Sequence, residues 1–296
     1  MTGTNFYYDD HALSDYGLII SGSDEEQSFI SRSVVGTEQS VKRPEQHVFN
    51  TSYDDVLKIP FSILKNPHDN PNQLDMRFTE QELSEIRRWL ESPRTPKELI
   101  VENKNNIENE TICYFGLFTD VQPFVVGADC YGLDLTFQCN APYGYSTPIV
   151  HVFEFPKTST YSYQYACLSD EKYDFVYPVI KLYLNSSISN KGTITIKNIT
   201  DNNNSLTINL PNTSYITIDC KKKQILNADG NNVRLCDLGF STDDIFDYSS
   251  IFTGSVSIYW PRLVYGENEF KYTTSVLNSV TKIEMTYRLI RKVDGF

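Results

Sequence analysis

Long apolar runs are missing from this chain. No stretch approaches the ~18 residues that a membrane-spanning helix needs, so no membrane partner is expected. Met1 to Asp15 is acidic and polar where a secretory leader would carry an apolar region, so no leader is expected either. Basic clusters are scarce as well. Lys and Arg number 26 against 38 Asp and Glu, giving a net charge of −12. Basic runs are as short as Arg87-Arg88 and Lys221-Lys222-Lys223, the latter a solvated turn between two alternating apolar stretches. Proteins that grip nucleic acid use cations to release counterions from phosphates, so specific nucleic-acid binding is not expected.

Metal and catalytic patterns are missing too. None of the six cysteines (Cys113, Cys130, Cys139, Cys167, Cys220, Cys236) forms a CxxC pair, and His11, His47, His68 and His151 are scattered, which matches no zinc spacing. The cysteines read as buried, reduced thiols on strands, as suits folding in a reducing cytoplasm. Asn-x-Ser/Thr triplets at Asn185, Asn198 and Asn212 reflect the abundance of Asn and are not read as glycan sites. No GxSxG elbow, phosphate-binding loop or dinucleotide fingerprint occurs. The acid pairs Asp9-Asp10 and Asp243-Asp244 lie in polar stretches and read as solvated, and no two carboxylates stand out as a glycosidase pair. No catalytic, cofactor-binding or metal residue is therefore assigned, no cofactor is implied, and an enzyme is not expected.

What the chain does have is aromatics, 20 Tyr and 17 Phe, in a setting of Thr, Ile and Val that favours strands. One helix is marked. Thr79 and Glu82 form a capping box, Leu83, Ile86 and Leu90 recur on one face with Trp89 flanking it, and Pro93 stops it, which predicts a helix over 80–91. The remainder reads as strands. Asn5 to Ile20 holds two short ones around a turn. Ser21 to Asn50 is a polar loop or long hairpin. Val56 to Leu64 is a strand interrupted by Pro60. Leu99 to Val101, Thr111 to Phe118 and the alternating Leu133, Leu135, Phe137 and Cys139 follow.

The break at Ala141-Pro142 ends that alternation and places a domain boundary at Tyr143 to Thr147, giving domains 1–145 and 146–296. Beyond it, Ile149 to Phe155 is an apolar run. Alternation recurs at Ile194/Ile196, Leu206/Ile208/Leu210, Ile216/Ile218/Cys220, Val256/Ile258/Trp260 and Ile283/Met285/Tyr287/Leu289. Asn202 to Asn204 and Asp229-Gly230-Asn231 supply turns. The fold class is mainly β, with many short strands arranged as sandwiches.

The order of short motifs resembles the distal tail protein family of siphovirus-type bacteriophages. It begins with Phe6 and Ser14-Asp15-Tyr16-Gly17-Leu18, continues through Arg87-Arg88-Trp89-Leu90, Leu99 and the Leu135 to Tyr145 exit with Ala141-Pro142-Tyr143. It ends with Tyr215-Ile216, Ile218-Asp219, Pro261-Arg262-Leu263, Gly266-Glu267-Asn268 and Tyr287-Arg288. The resemblance implies an N-terminal ring-forming β-sandwich with one α-helix and a C-terminal galectin-like β-sandwich. It implies a homo-hexamer at the virion tail tip, assembled in the host cytoplasm. That ring joins the tail tube protein to the tail-tip protein, in many phages carries receptor-binding proteins, and lets DNA pass through. The Ser21 to Asn50 stretch is a candidate arm to a neighbour in the ring, and a lumen poor in Lys and Arg is expected. Two alternatives stand beside this reading: a stand-alone carbohydrate-binding sandwich, with Trp260 as the stacking candidate, and a tail-tip hydrolase.

Overall fold

The computed structural model describes residues 3–21, 32–36, 48–53, 55–103, 111–233 and 258–292. The chain divides into two compact units, Met1–Thr147 with Arg291–Phe296, and Pro148–Ile290. It enters the second unit after Thr147 and leaves it after Ile290. The chain is mainly β, and α1, spanning Glu80–Glu91, is the one α-helix among the described residues.

The strands of the first unit are β1 (Gly3–Tyr8), β2 (His11–Ala12), β3 (Leu18–Ile20), β4 (Arg32–Gly36), β5 (Val48–Tyr53), β6 (Lys58–Lys65), β7 (Lys97–Asn103), β8 (Ile112–Val126), β9 (Asp129–Cys139) and β10 (Gly144–Ser146). Seven of them lie in the order β2-β1-β7-β8-β9-β6-β3, β10 is laid on β8, and β4 and β5 form a separate antiparallel ladder. β1 and β6 are four ladder steps apart, ~19 Å in a flat sheet. Yet the Phe6 ring on β1 lies 5.4 Å from Phe61 on β6. The sheet therefore curls over its own core, which Phe6, Tyr8, Ile59, Phe61, Phe118 and Phe137 fill.

The expected helix forms with the expected bounds. The Thr79 side chain accepts the Glu82 N–H at 3.2 Å, and the Glu82 carboxylate accepts the Thr79 N–H at 2.7 Å. Its buried face differs from the reading: Ile86, Trp89 and Leu90 are buried, whereas Leu83 is half-buried. Trp89 is thus a core residue and does not merely flank the face.

Pro60 does not interrupt its strand. It pairs opposite Thr136 within β6, and β3 covers the other edge of β6 only at Ile63 to Lys65. The edge at Pro60 carries no ladder from β3, and a missing N–H is tolerated there. Asp9 and Asp10 occupy a two-residue turn between β1 and β2 with φ of +48° and +67°, the left-handed pair a tight hairpin requires. Of the Ser21 to Asn50 stretch, expected as a loop or hairpin, Ser21, β4 and the first residues of β5 are described; residues 22–31 and 37–47 lie outside the described residues.

The second unit is a sandwich of two antiparallel sheets. One has the order β11 (Ile149–Glu154), β19 (Val280–Tyr287), β13 (Val179–Leu184), β16 (Tyr215–Asp219), β17 (Gln224–Asn227). The other has the order β12 (Thr160–Cys167), β18 (Gly266–Thr274), β14 (Thr193–Asn198), β15 (Asn204–Asn209). Inward residues such as Ile180, Leu182, Ile196, Ile218, Phe270 and Ile283 make its core. The Tyr165 and Tyr272 hydroxyls, both buried, hydrogen-bond to each other at 2.8 Å, so each phenol has a partner in the core. The last described strand, β20, is Ile290–Arg291.

The expected strand at Val256, Ile258 and Trp260 needs correction. Val256 lies outside the described residues, and Ile258 to Trp260 carry no strand. Pro261 follows immediately and supplies no N–H for a ladder, and side-chain bonds hold this segment instead. Cys236 and Asp243-Asp244 also lie outside the described residues.

Candidate assembly surfaces

The Ser14 to Leu18 motif is a device for placing one ring. Leu13–Tyr16 form a turn of 3-10 helix, and Gly17, at φ +67°, ends it with its N–H bonded to the Ser14 carbonyl at 3.0 Å. The Asp15 carboxylate accepts the Ala12 N–H at 2.9 Å, and the Asn5 side chain accepts the Ser14 N–H at 3.1 Å. Tyr16 is thereby stacked on Trp89 with ring centroids 4.6 Å apart. Trp89 donates its indole N–H to the Tyr8 carbonyl at 2.9 Å, which fixes the ring.

In the second unit the Pro261-Arg262-Leu263 and Gly266-Glu267-Asn268 motifs form one buried network with the β14–β15 turn. Arg262 meets both oxygens of Asp201, at 2.8 and 3.3 Å, and the Tyr259 hydroxyl donates to the same carboxylate at 3.0 Å. Burial alone would raise the Asp201 carboxyl, but the Arg262 and Tyr259 hydrogen bonds outweigh it and hold it below the usual range. Asn198 donates to the Arg262 carbonyl and to Asn268, and Asn268 donates to the carbonyls of Val264 and Gly266.

The reactive groups here are placed for packing. Burial pushes the Cys139 thiol up to about 12 and raises Cys220 as well, so both stay protonated and poorly nucleophilic. No disulfide joins any two of the five described cysteines. His151 is stacked on Tyr287, with its Nε2 3.2 Å from the tyrosine hydroxyl, and burial lowers its pKa. Among the described residues, no three His, Cys, Asp or Glu side chains are gathered as metal ligands. Trp260 is buried in the second core and presents no open face for a sugar.

Exposed apolar surface is concentrated in a few places. Phe124, Val125 and Val126 at the end of the β8–β9 hairpin are each more than half exposed. Val150 and Val152 on β11 are equally open, and Tyr173 is 94% exposed. Apolar groups left in water in this way mark contact surfaces more often than scattered single residues do. Beside the hairpin, an open groove of about 670 Å³ runs over β6, β8 and β9 and includes Asp120, Gln122 and Asp134. Ser62 donates to Asp134 at 2.6 Å and Gln122 to Asp120 at 2.7 Å.

Residues 1–141 match the family model described as a phage tail protein N-terminal domain, and residues 143–241 the one described as a phage tail C-terminal domain. The chain belongs to the phage tail proteins. Solved structures extend the likeness to nearly every residue. The SPP1 Dit (gp 19.1) protein, described as a paradigm of the hub adsorption apparatus in phages infecting Gram-positive hosts, is 12% identical with a TM-score of 0.59, covering 96% of this chain and 98% of that one. A chain of the phage P2 baseplate in its activated conformation with calcium is 10% identical with a TM-score of 0.55, covering 99% and 100%. No curated protein sequence matches the chain. This tail protein therefore has the fold of a distal tail, or hub, protein, and as a phage tail protein it is a virion component.

Proposed function

We propose that six copies of this tail protein close into a ring at the tail tip. The first unit forms the ring, and the second, galectin-like unit is carried on it. The ring joins the tail tube protein to the tail-tip protein and serves as a mount for receptor-binding proteins. Its task is structural, without catalysis or a cofactor, and it is built in the host cytoplasm. The carrying observation is end-to-end coverage: two hub and baseplate chains align over nearly their whole lengths and nearly the whole of this one. Exposed Phe124, Val125 and Val126 on an extended hairpin suit a subunit that buries them against neighbours.

DNA passes through the ring without being held. The Asp120 and Asp134 groove is the kind of wall that would let it slide, because phosphates find no cations there. Native mass measurement of the purified chain tests the ring. The expected species has six times the 34.0 kDa chain mass; a monomer at every concentration, with no ring in images of the particle's tail tip, would overturn it.

A further inference from the structure

A pocket of about 600 Å³ opens in the first unit beside the last turn of α1. Its floor is the half-buried Tyr16, whose ring is stacked on the buried Trp89 beneath it, 4.6 Å apart and 15° from parallel. Arg88, Arg94 and Lys97 stand around that floor, together with the acids Asp9 and Glu85. Lys97 is paired with Asp9, and Arg87 on the neighbouring face is paired with Glu91. Among the described residues, no carboxylate lies within ion-pair distance of Arg88 or Arg94, and both side chains are exposed. Arg94 lies between Pro93 and Pro96, whose rings fix the backbone on either side. The site is thus preorganised: an anchored aromatic floor, and two unneutralised guanidiniums on a helix end and a stiff loop, in a chain that is otherwise strongly acidic.

We propose that this pocket docks an acidic, aromatic-bearing peptide segment of another tail protein. Arg88 and Arg94 take its carboxylates through paired N–H donors, and its ring lies against Tyr16, which Trp89 backs from within. A polyphosphate strand fits less well, because the Glu85 carboxylate lining the pocket repels a dense row of charges that a sparser peptide can avoid. A free phosphate would leave the aromatic floor uncovered.

The test uses the full chain and a fluorescein-labelled peptide, acetyl-Glu-Asp-Phe-Asp-amide, followed by anisotropy. Saturable binding is expected, weakening with salt, and falling at least about tenfold in the Arg88→Ala/Arg94→Ala variant, the loss that two charge-assisted contacts predict. The glutamine pair Arg88→Gln/Arg94→Gln should give the same loss. Replacing the peptide's phenylalanine by alanine should weaken binding several-fold. Lys222→Ala/Lys223→Ala, an equal charge change on an exposed turn of the second unit, should leave binding unchanged. Absence of binding, equal affinity in the arginine variants, or equal loss in the lysine variant would overturn the proposal. Displacement of the peptide by inorganic phosphate or by an oligothymidine at matched charge would overturn it in favour of a general anion site or a nucleic-acid site.

Discussion

Trp89 joins three parts of the first unit through one ring: the carbonyl of Tyr8, the stacked face of Tyr16, and Phe6 at 5.7 Å. Trp89→Phe keeps an aromatic there but leaves a buried carbonyl without its donor. The expected cost is ~1–3 kcal/mol, read from urea unfolding. Asp201 plays the matching part in the second unit, where its side chain is 4% exposed. Arg262→Met strands that carboxylate, and a loss of ~3 kcal/mol is expected. Because the folded pKa of Asp201 lies below its unfolded value, its contribution is in full force above the ordinary carboxylate range near ~3.9 and is lost as pH falls through the folded value. Thermal melts from pH 6 down to about pH 2 should show this fall in the native chain and a flatter, lower curve for Asp201→Asn; parallel curves would refute the assignment. Neither role could be read from the sequence. Trp89 sat one position off an ideal apolar stripe, and the network at Asp201 draws on residues about sixty positions apart.

Local signals were legible where one element decides its own structure. The Thr79 capping box and Pro93 bound α1 to the residue, and alternation in β9 places Leu133, Leu135, Phe137 and Cys139 inward. Thr79→Ala should cost ~1 kcal/mol and Leu90→Ala ~2–5 kcal/mol, with half-buried Leu83 less sensitive than Leu90 in the same unfolding assay. Other strands were hidden by their chemistry. In β12 the inward positions are mainly tyrosines, Tyr161, Tyr163 and Tyr165, whose alternation a count of aliphatics does not register. In β18 the inward row begins with Asn268, a buried amide whose bonds to Val264 and Gly266 replace an apolar contact. Gly116 is a further position that only the fold explains. A Cβ there would lie 2.1 Å from the Gln138 carbonyl oxygen across the β8–β9 ladder. Gly116→Ala should therefore destabilise the hairpin by ~1–3 kcal/mol, seen as faster hydrogen exchange along β8 and β9; unchanged protection would show that the strands can part without loss.

At the scale of the molecule, limited proteolysis should give two resistant pieces with ends near Thr147 and Ile290, and a single uncut core would count against two units. The two passages between the units also bear on cleavage. The second unit is joined to the first at two places along the chain, after Thr147 and after Ile290. One cut at either junction leaves the other intact, so release of residues 148–290 as a separate piece takes both cuts.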